Sequence, residues 1–357
     1  MKSALIARPD ILALKPYTAG EQVPGAIRLN ANEAPIAAWD DANPVSLNRY
    51  PEARPLTLQR RLSALFEVAP EHLLVTRGSS EAIDVLIRAF CRAYRDAIVT
   101  TPPTFEMYRV YADIQGVGMI DVPLDEDRDF RLDREGLLAA CTEQTKLIFL
   151  CSPNNPTGSL VEEADVRAIA ESRRGKSIVV IDEAYVEFSG NGSMSRLVGD
   201  FDNLVVLRTL SKAHGLAGAR CGVAIACEDL ISVMGRVLPP YTFPTPVIET
   251  VLAALEDDRV VRSAAAIAEI IAERQRLFES LGELGVVEMA WPSAANFILV
   301  RFRDLQTTRD YLQSRNILIR DFSDYPALGN CARITIGTVA ENDALLQALE
   351  ASEELSP

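Results

Sequence analysis

The sequence predicts an α/β protein: a large unit with a mostly parallel sheet flanked by helices, and a smaller α/β unit after it. Three observations carry this. From about Leu73 to Ile225, short apolar runs alternate with longer segments of helical period, the pattern of strands joined by crossover helices. The polar motifs of that stretch come directly after its apolar runs, where open sheets of this type place their ligands. Finally, 357 residues exceed what one core usually holds, roughly 250 to 300, and a second, shorter α/β pattern begins beyond Pro246.

Taken in order, the opening "MKSALIARPDILALKPYTAG" lacks an apolar core of signal-peptide length, and no apolar run is long enough to span a bilayer. A cytoplasmic protein is the expectation. Within the large unit, "AIVTT" (97–101), "LIFLC" (147–151), "IVVID" (178–182), "LVVLRT" (204–209) and "CGVAIA" (221–226) are the strand candidates. Residues 81–94 and 162–174 carry apolar side chains at three- and four-residue spacings and read as crossover helices. An Ala-rich helical stretch from Ile248 to Leu284 leads to strands at 295–302, 317–322 and 332–338 and a final helix. Three segments result: residues 1–34 as an N-terminal arm and small-domain segment, 35–246 as the large domain, and 247–357 as the small domain. No Gly/Ser linker separates them.

Composition narrows the function. A formal charge of −14 disfavours nonspecific binding to nucleic acid or anionic lipid, so an anionic ligand must meet a local cationic site. Six cysteines without CxxC spacing and only two histidines leave little for a soft-metal centre. Reduced thiols and no metal are expected.

The chemistry-bearing residues cluster after the strands. In "VTRGSSEAIDVL", Gly78, Ser79 and Ser80 lie between a strand and a helix start, where free N–H groups favour a phosphate; a serine N-cap with Glu81 in the first turn is the competing reading. "FLCSPNNPTG" ends a strand in a proline-fixed loop with two asparagines, of which Asn155 is expected to face a ligand. "IVVIDEAYVEF" carries Asp182 into the interior on an uninterrupted apolar run. A buried carboxylate there demands a cationic partner, such as a protonated pyridine nitrogen. Tyr185, a little further on, is expected to project from the same strand face. In "TLSKAHGLAGARCG", Lys212 comes after a strand at the same sheet edge and can bond covalently to a carbonyl. Thr209 and Ser211 add hydroxyls, Arg220 adds a bidentate phosphate grip, and Gly215, Gly218 and Gly222 let the backbone approach a cofactor.

The ordered series "RLNANEAP", "NRYPE", "RGSSEAIDVLIRAF", "PPTFEMY", "CSPNNPTG", "DEAYVEF", "RTLSKAHGLAGARCG" and "ARITIGT" resembles the histidinol-phosphate aminotransferases, pyridoxal-phosphate enzymes of the aspartate-aminotransferase fold (fold type I), from about Leu14 to Leu349. The resemblance implies that Lys212 holds pyridoxal 5'-phosphate covalently, that Asp182 pairs with its ring N–H, and that Asn155 and Tyr185 contact its 3-oxygen. It implies a phosphate resting on Gly78, Ser79, Ser80, Thr209, Ser211 and Arg220. Phe105 takes the ring-stacking position, often tyrosine in the family. Tyr50 is similar to a tyrosine that reaches the neighbouring subunit's site, implying a homodimer with shared sites. Arg333 is implied as the substrate-anion arginine, Arg320 as a second anion contact and Tyr17 as a lid residue. His214 stands where the family usually has phenylalanine and reads as structural or supporting; His72 reads as a surface residue. The implied reaction exchanges an amino group between L-histidinol phosphate and 2-oxoglutarate in histidine biosynthesis. An aromatic aminotransferase, a threonine-phosphate decarboxylase and a non-catalytic pyridoxal-phosphate-binding regulator share parts of the pattern.

Overall fold

The computed structural model describes residues 3–17, 20, 22, 26–36 and 47–353. Seven strands form the larger sheet: β1 (Leu73–Thr76), β2 (Ala97–Thr100), β3 (Gly118–Asp121), β4 (Thr145–Cys151), β5 (Ile178–Asp182), β6 (Leu204–Thr209) and β7 (Gly222–Ala226). Their order is β1-β7-β6-β5-β4-β2-β3. The apolar runs are continuous because both faces are covered: Val179 and Ile181 pack into one core, Ile178 and Val180 into the other. Parallel register sets Cys151, Asp182 and Leu207 side by side at the ends of β4, β5 and β6. The loops that carry Asn155, Tyr185 and Lys212 therefore leave the sheet at one edge.

Two departures from the sequence pattern concern this sheet. The β7 segment runs antiparallel to both β6 and β1, although "CGVAIA" sits in a stretch patterned for parallel pairing. Between β6 and β7 the chain contains only a three-residue 3-10 helix, Ala217–Ala219, and no crossover helix to return it to the starting edge. The β3 strand has no counterpart among the strand candidates, because at the sheet's end it is only half-buried and lacks an apolar run.

The smaller sheet contains β8 (Val287–Ala290), β9 (Phe297–Phe302), β10 (Arg320–Asp321) and β11 (Cys331–Thr335), all antiparallel in the order β10-β11-β9-β8. Of "ILIRDF" only Arg320 and Asp321 pair, and the pairing places Arg320 directly opposite Arg333. The Ala-rich stretch is two helices, Thr245–Ala254 and Asp257–Gly282. They separate where Arg61 donates from Nε to the Leu255 carbonyl at 2.8 Å and binds Asp257 at 2.7 Å, with Asp257 and Asp258 favouring a fresh helix N-terminus. Arg274 of the second helix donates to the carbonyls of Phe188 (2.9 Å) and Ala295 (2.8 Å), and Arg301 pairs with Glu126 at 2.8 Å. These contacts seat the small sheet against the loops of the large one.

Gly222 is the tightest backbone crossing under the site. A Cβ there would lie 2.8 Å from the Arg208 carbonyl oxygen, from Gly78 C and from Ser79 N, all backbone atoms. Gly222→Ala is expected to destabilise the chain by about 1–3 kcal/mol, the usual range for overpacking, in denaturant unfolding; unchanged stability would show that β7 does not press against the Gly78 turn.

Candidate active site

Asp182 closes β5 in full burial. Its Oδ2 accepts from the Tyr108 hydroxyl at 3.0 Å and its Oδ1 from the Ala184 N–H at 3.2 Å. Among the described residues no cation lies within ion-pair distance of it. Burial pushes its carboxyl up to about 6, against the opposing pull of Tyr108, the Ala184 N–H and Lys212. Tyr108 is fully buried, stacked on Phe149 at 4.7 Å and edge-on to Phe105 at 5.7 Å.

A cavity of about 230 Å³ opens above this carboxylate, lined by Phe105, Asn155, Asp182, Tyr185 and Lys212 on one side. Ser79, Ser80, Thr209, Ser211 and Arg220 also line it. The two asparagines of the loop after β4 have separate tasks. Asn154 is buried and committed, accepting from Thr104 and donating to the Pro103 carbonyl and Thr157. Asn155 faces the cavity, donating to the Tyr185 hydroxyl at 3.4 Å and accepting from Arg333 Nη1 at 2.5 Å. Tyr185 does not share a strand face with Asp182: β5 ends at Asp182, and Tyr185 lies in the next turn, before the 3-10 helix Val186–Phe188. The turn, and the edge contact with Phe297 at 5.1 Å, aim it at the cavity.

Lys212 Nζ lies 5.5 Å from the Tyr185 ring centroid. Partial burial, then the charges of Arg333 and Arg220, hold its amine below the ordinary lysine range. At the other end, the helix Gly78–Phe90 begins without a side-chain cap; Glu81 accepts from the Arg77 N–H at 2.7 Å instead. The serines of the turn are thus spared for the cavity. Ser211 accepts from Thr209 at 3.0 Å and from Arg220 Nη1 at 3.2 Å. A Cβ on Gly78 (φ +74°) would meet Arg220 Nη2 at 2.8 Å, so the guanidinium closes directly over the turn.

An adjoining cavity of about 250 Å³ is shared by Asn155, Tyr185, Lys212, Arg320 and Arg333, with Phe105 and Phe322 as walls. Arg333 lies over Phe297 and Phe322, at 5.2 and 5.5 Å, and its buried Nε has no partner among the described residues. Tyr17 and Tyr50 line neither cavity. Both are exposed and pack on Tyr241, at 6.5 and 4.8 Å between ring centroids.

The residues present fit pyridoxal phosphate. A buried carboxylate without a cation suits a ring N–H, Phe105 offers an aromatic wall, Lys212 offers an amine, and the Gly78 turn with Ser211 and Arg220 forms an anion cradle. Residues 20–349 match the family model described as aminotransferase class I and II. The chain is 44% identical over 354 residues to a histidinol-phosphate aminotransferase of Stenotrophomonas maltophilia, covering 97% of this chain and 96% of that one. It is 39% identical over 350 residues to one of Shigella flexneri, covering 98% of each. The chain belongs to the class I and II aminotransferases. Its fold also matches the histidinol-phosphate aminotransferase of Sinorhizobium meliloti in complex with pyridoxal-5'-phosphate, with TM-score 0.77 and 26% identity, over 87% of this chain and 84% of that one.

As a class I and II aminotransferase, the chain uses pyridoxal phosphate. The motifs also contain residues around that cofactor's place whose contacts the sequence does not show. Tyr108, in the first turn of the helix Met107–Gln115, is the hydroxyl that bonds Asp182. His214 lines neither cavity; its Nε2 is 3.8 Å from Glu187, which Arg208 binds at 2.9 Å. Burial lowers its pKa, with Glu187 opposing. It packs behind the Lys212 turn, where the Gly215 N–H donates to the Lys212 carbonyl at 3.1 Å. His72 is half-buried and bonds the Ala226 carbonyl through Nδ1 at 2.9 Å, so it is a strand-edge contact rather than a free surface residue.

In this aminotransferase, Tyr108→Phe removes a hydrogen bond that favours the charged form of Asp182. The Asp182 pKa should rise further above about 6, and cofactor retention should fail at a higher pH on the acid side. A hydrogen bond to a charged group is worth about 1.5–3 kcal/mol. Cofactor absorbance across a pH series reads the shift; an unmoved acid limb would remove Tyr108 from this role.

Proposed function

We propose that the chain interconverts L-histidinol phosphate plus 2-oxoglutarate and imidazole acetol phosphate plus L-glutamate, the transamination of histidine biosynthesis. One observation supports a phosphate-bearing substrate: Arg320 and Arg333 stand directly opposite each other on β10 and β11 and share the cavity beside Lys212. Two like charges at a cross-strand pair repel. A dianionic phosphate offsets both, whereas a single α-carboxylate is served by one bidentate arginine.

The chain's own groups divide the work. Asp182 would hold the ring N–H, Arg220 with Ser211, Thr209 and the Gly78-Ser79-Ser80 turn would grip the phosphate, and Phe105 would pack against the ring. Asn155 and Tyr185 would hydrogen-bond the 3-oxygen. When bound, the cofactor supplies an electron sink for the pair left as the substrate's Cα loses its proton. Lys212 moves that proton; burial and the charges of Arg333 and Arg220 lower its pKa, which favours the neutral amine that can accept one. Arg333 orients the substrate anion and positions Asn155 through their hydrogen bond. Arg320 adds the second guanidinium, and Tyr17 on the N-terminal arm covers the bound substrate.

The proposal includes a homodimer with shared sites, in which Tyr50 serves the neighbouring chain. Its position outside the described cavities of its own chain and its 51% exposure support this. The proposed compartment is the cytoplasm, supported by cysteines that are all free thiols. No helix among the described residues is long and apolar enough to cross a membrane.

Single-turnover spectra of the holoenzyme test the substrate. Histidinol phosphate should convert the cofactor spectrum faster than phenylalanine or threonine phosphate, and faster turnover of either would overturn the assignment. Arg320→Ala should weaken the histidinol-phosphate half-reaction by about 1.5–3 kcal/mol and the glutamate half-reaction less; equal losses would make Arg320 scaffold. For the shared site, an inactive Tyr50→Ala chain mixed with an inactive Lys212→Ala chain should regain activity, since one hybrid site is then intact. Verified heterodimers without recovery would refute sharing.

A further inference from the structure

A larger cavity, of about 650 Å³, lies at the opposite edge of the large sheet. Its walls are the segments that enter β4 and β5, residues 141–146 and 173–176, closed on the outside by the N-terminal residues 5–9. Since Asp182 ends β5 and Asn155 lies just beyond β4, one strand length, about 20 Å at the usual rise per residue, separates it from the cofactor cavity.

Its lining carries five basic residues, Arg8, Arg92, Lys146, Arg173 and Lys176, against two acidic ones, Asp96 and Glu143, in a chain of net charge −14. Two of the basic residues are already paired: Arg8 with Asp10 at 2.5 Å and Arg92 with Asp96 at 2.9 Å. The other three have no carboxylate within ion-pair distance among the described residues. Arg173 is only 8% exposed and its side chain donates solely to neutral oxygens, Ser177 Oγ and the Thr142 carbonyl. Lys146 donates to the Glu143 carbonyl at 2.9 Å, and Lys176 is exposed, its side chain without a partner among the described residues. A nearly buried guanidinium without a counter-charge is costly. The volume is that of a small-molecule site, and Leu5, Ile6 and Phe90 add an apolar wall to the charged lining.

We propose that this cavity binds a small multivalent anion bearing phosphate or carboxylate groups, at a site separate from the catalytic one. Arg173, Lys146 and Lys176 form the charged floor. The occupant ties the N-terminal segment to the strand-entry edge of the sheet, where the Arg8 N–H already bonds the Ala89 carbonyl at 3.0 Å. That segment continues into the arm carrying Tyr17, so occupancy bears on the arm rather than on the reacting groups.

Calorimetric titration of the holoenzyme at constant ionic strength, with pyrophosphate and separately with citrate, tests the site. Three proteins are compared: the unmutated enzyme, Arg333→Gln, and Lys146→Gln/Lys176→Gln, whose changes touch neither the fold's core nor the catalytic residues. At least one anion should bind saturably. That binding should persist in Arg333→Gln and weaken about tenfold or more in the double lysine variant, as expected for lost charge-assisted contacts. Which anion binds separates a phosphate from a carboxylate ligand. Absence of saturable binding by both anions, binding abolished by Arg333→Gln, or binding unchanged in the lysine variant would each overturn the proposal.

Discussion

The site is organised around one uncompensated charge, the carboxylate of Asp182 at the buried end of the central strand. A charge in that position is tolerated only with several hydrogen bonds or a cation beside it. The protein itself supplies two bonds, from Tyr108 and the Ala184 N–H. These leave the group destabilised enough that burial raises its pKa to about 6. The proposed ring N–H beside it would remove that destabilisation, and would so tie cofactor binding to the sheet's own packing. The stack of Tyr108 on Phe149 extends the dependence to the helix Met107–Gln115, and through Phe105 to the wall of the cavity.

The second organising element is the crossing of β7 under the Gly78 turn. Because β7 returns antiparallel after the lysine loop, Gly222 lies against Gly78 and Ser79, and Arg220, two residues earlier, folds over the same turn in a left-handed conformation (φ +51°). One short segment therefore brings the Lys212 amine, the Ser211 hydroxyl and the Arg220 guanidinium to the same cavity. The group of Glu183, Arg208, Glu187 and His214 stiffens it from behind: Ser193 and the Met194 N–H hold Glu183, while Arg208 bonds Glu187 and covers Phe66. Histidine in place of the family's usual phenylalanine adds a polar group to that cluster without entering the cavity.

The substrate side depends on the small sheet. Arg333 reaches Asn155 across the two units, and Arg320 is aligned with it by strand register. The proposed substrate contact thus rests on the pairing of two short strands, one of them two residues long, seated by the Arg274 side chain's bonds to backbone carbonyls.

Much of this is legible in the sequence. The buried strands β4, β5 and β6 appear through the apolar runs at 147–151, 178–181 and 204–207, because strands covered on both faces are mostly apolar, and the loop after each strand leaves at one sheet edge. Asp182, Asn155, Lys212 and Arg220 are placed on that logic, and the motif series identifies the family. The direction of β7, the half-buried β3, the break at Leu255–Glu256 and the turn that aims Tyr185 are not legible, since each depends on what lies opposite in space. Tyr108's bond to Asp182 and the pairing of Arg320 with Arg333 belong to the same class. By itself the sequence determined the fold class, the family and the candidate groups that line the cavity, because those derive from hydrophobic period and local motif. Only the tertiary structure decided which of those groups meet, because charge compensation and strand register join residues that lie far apart along the chain.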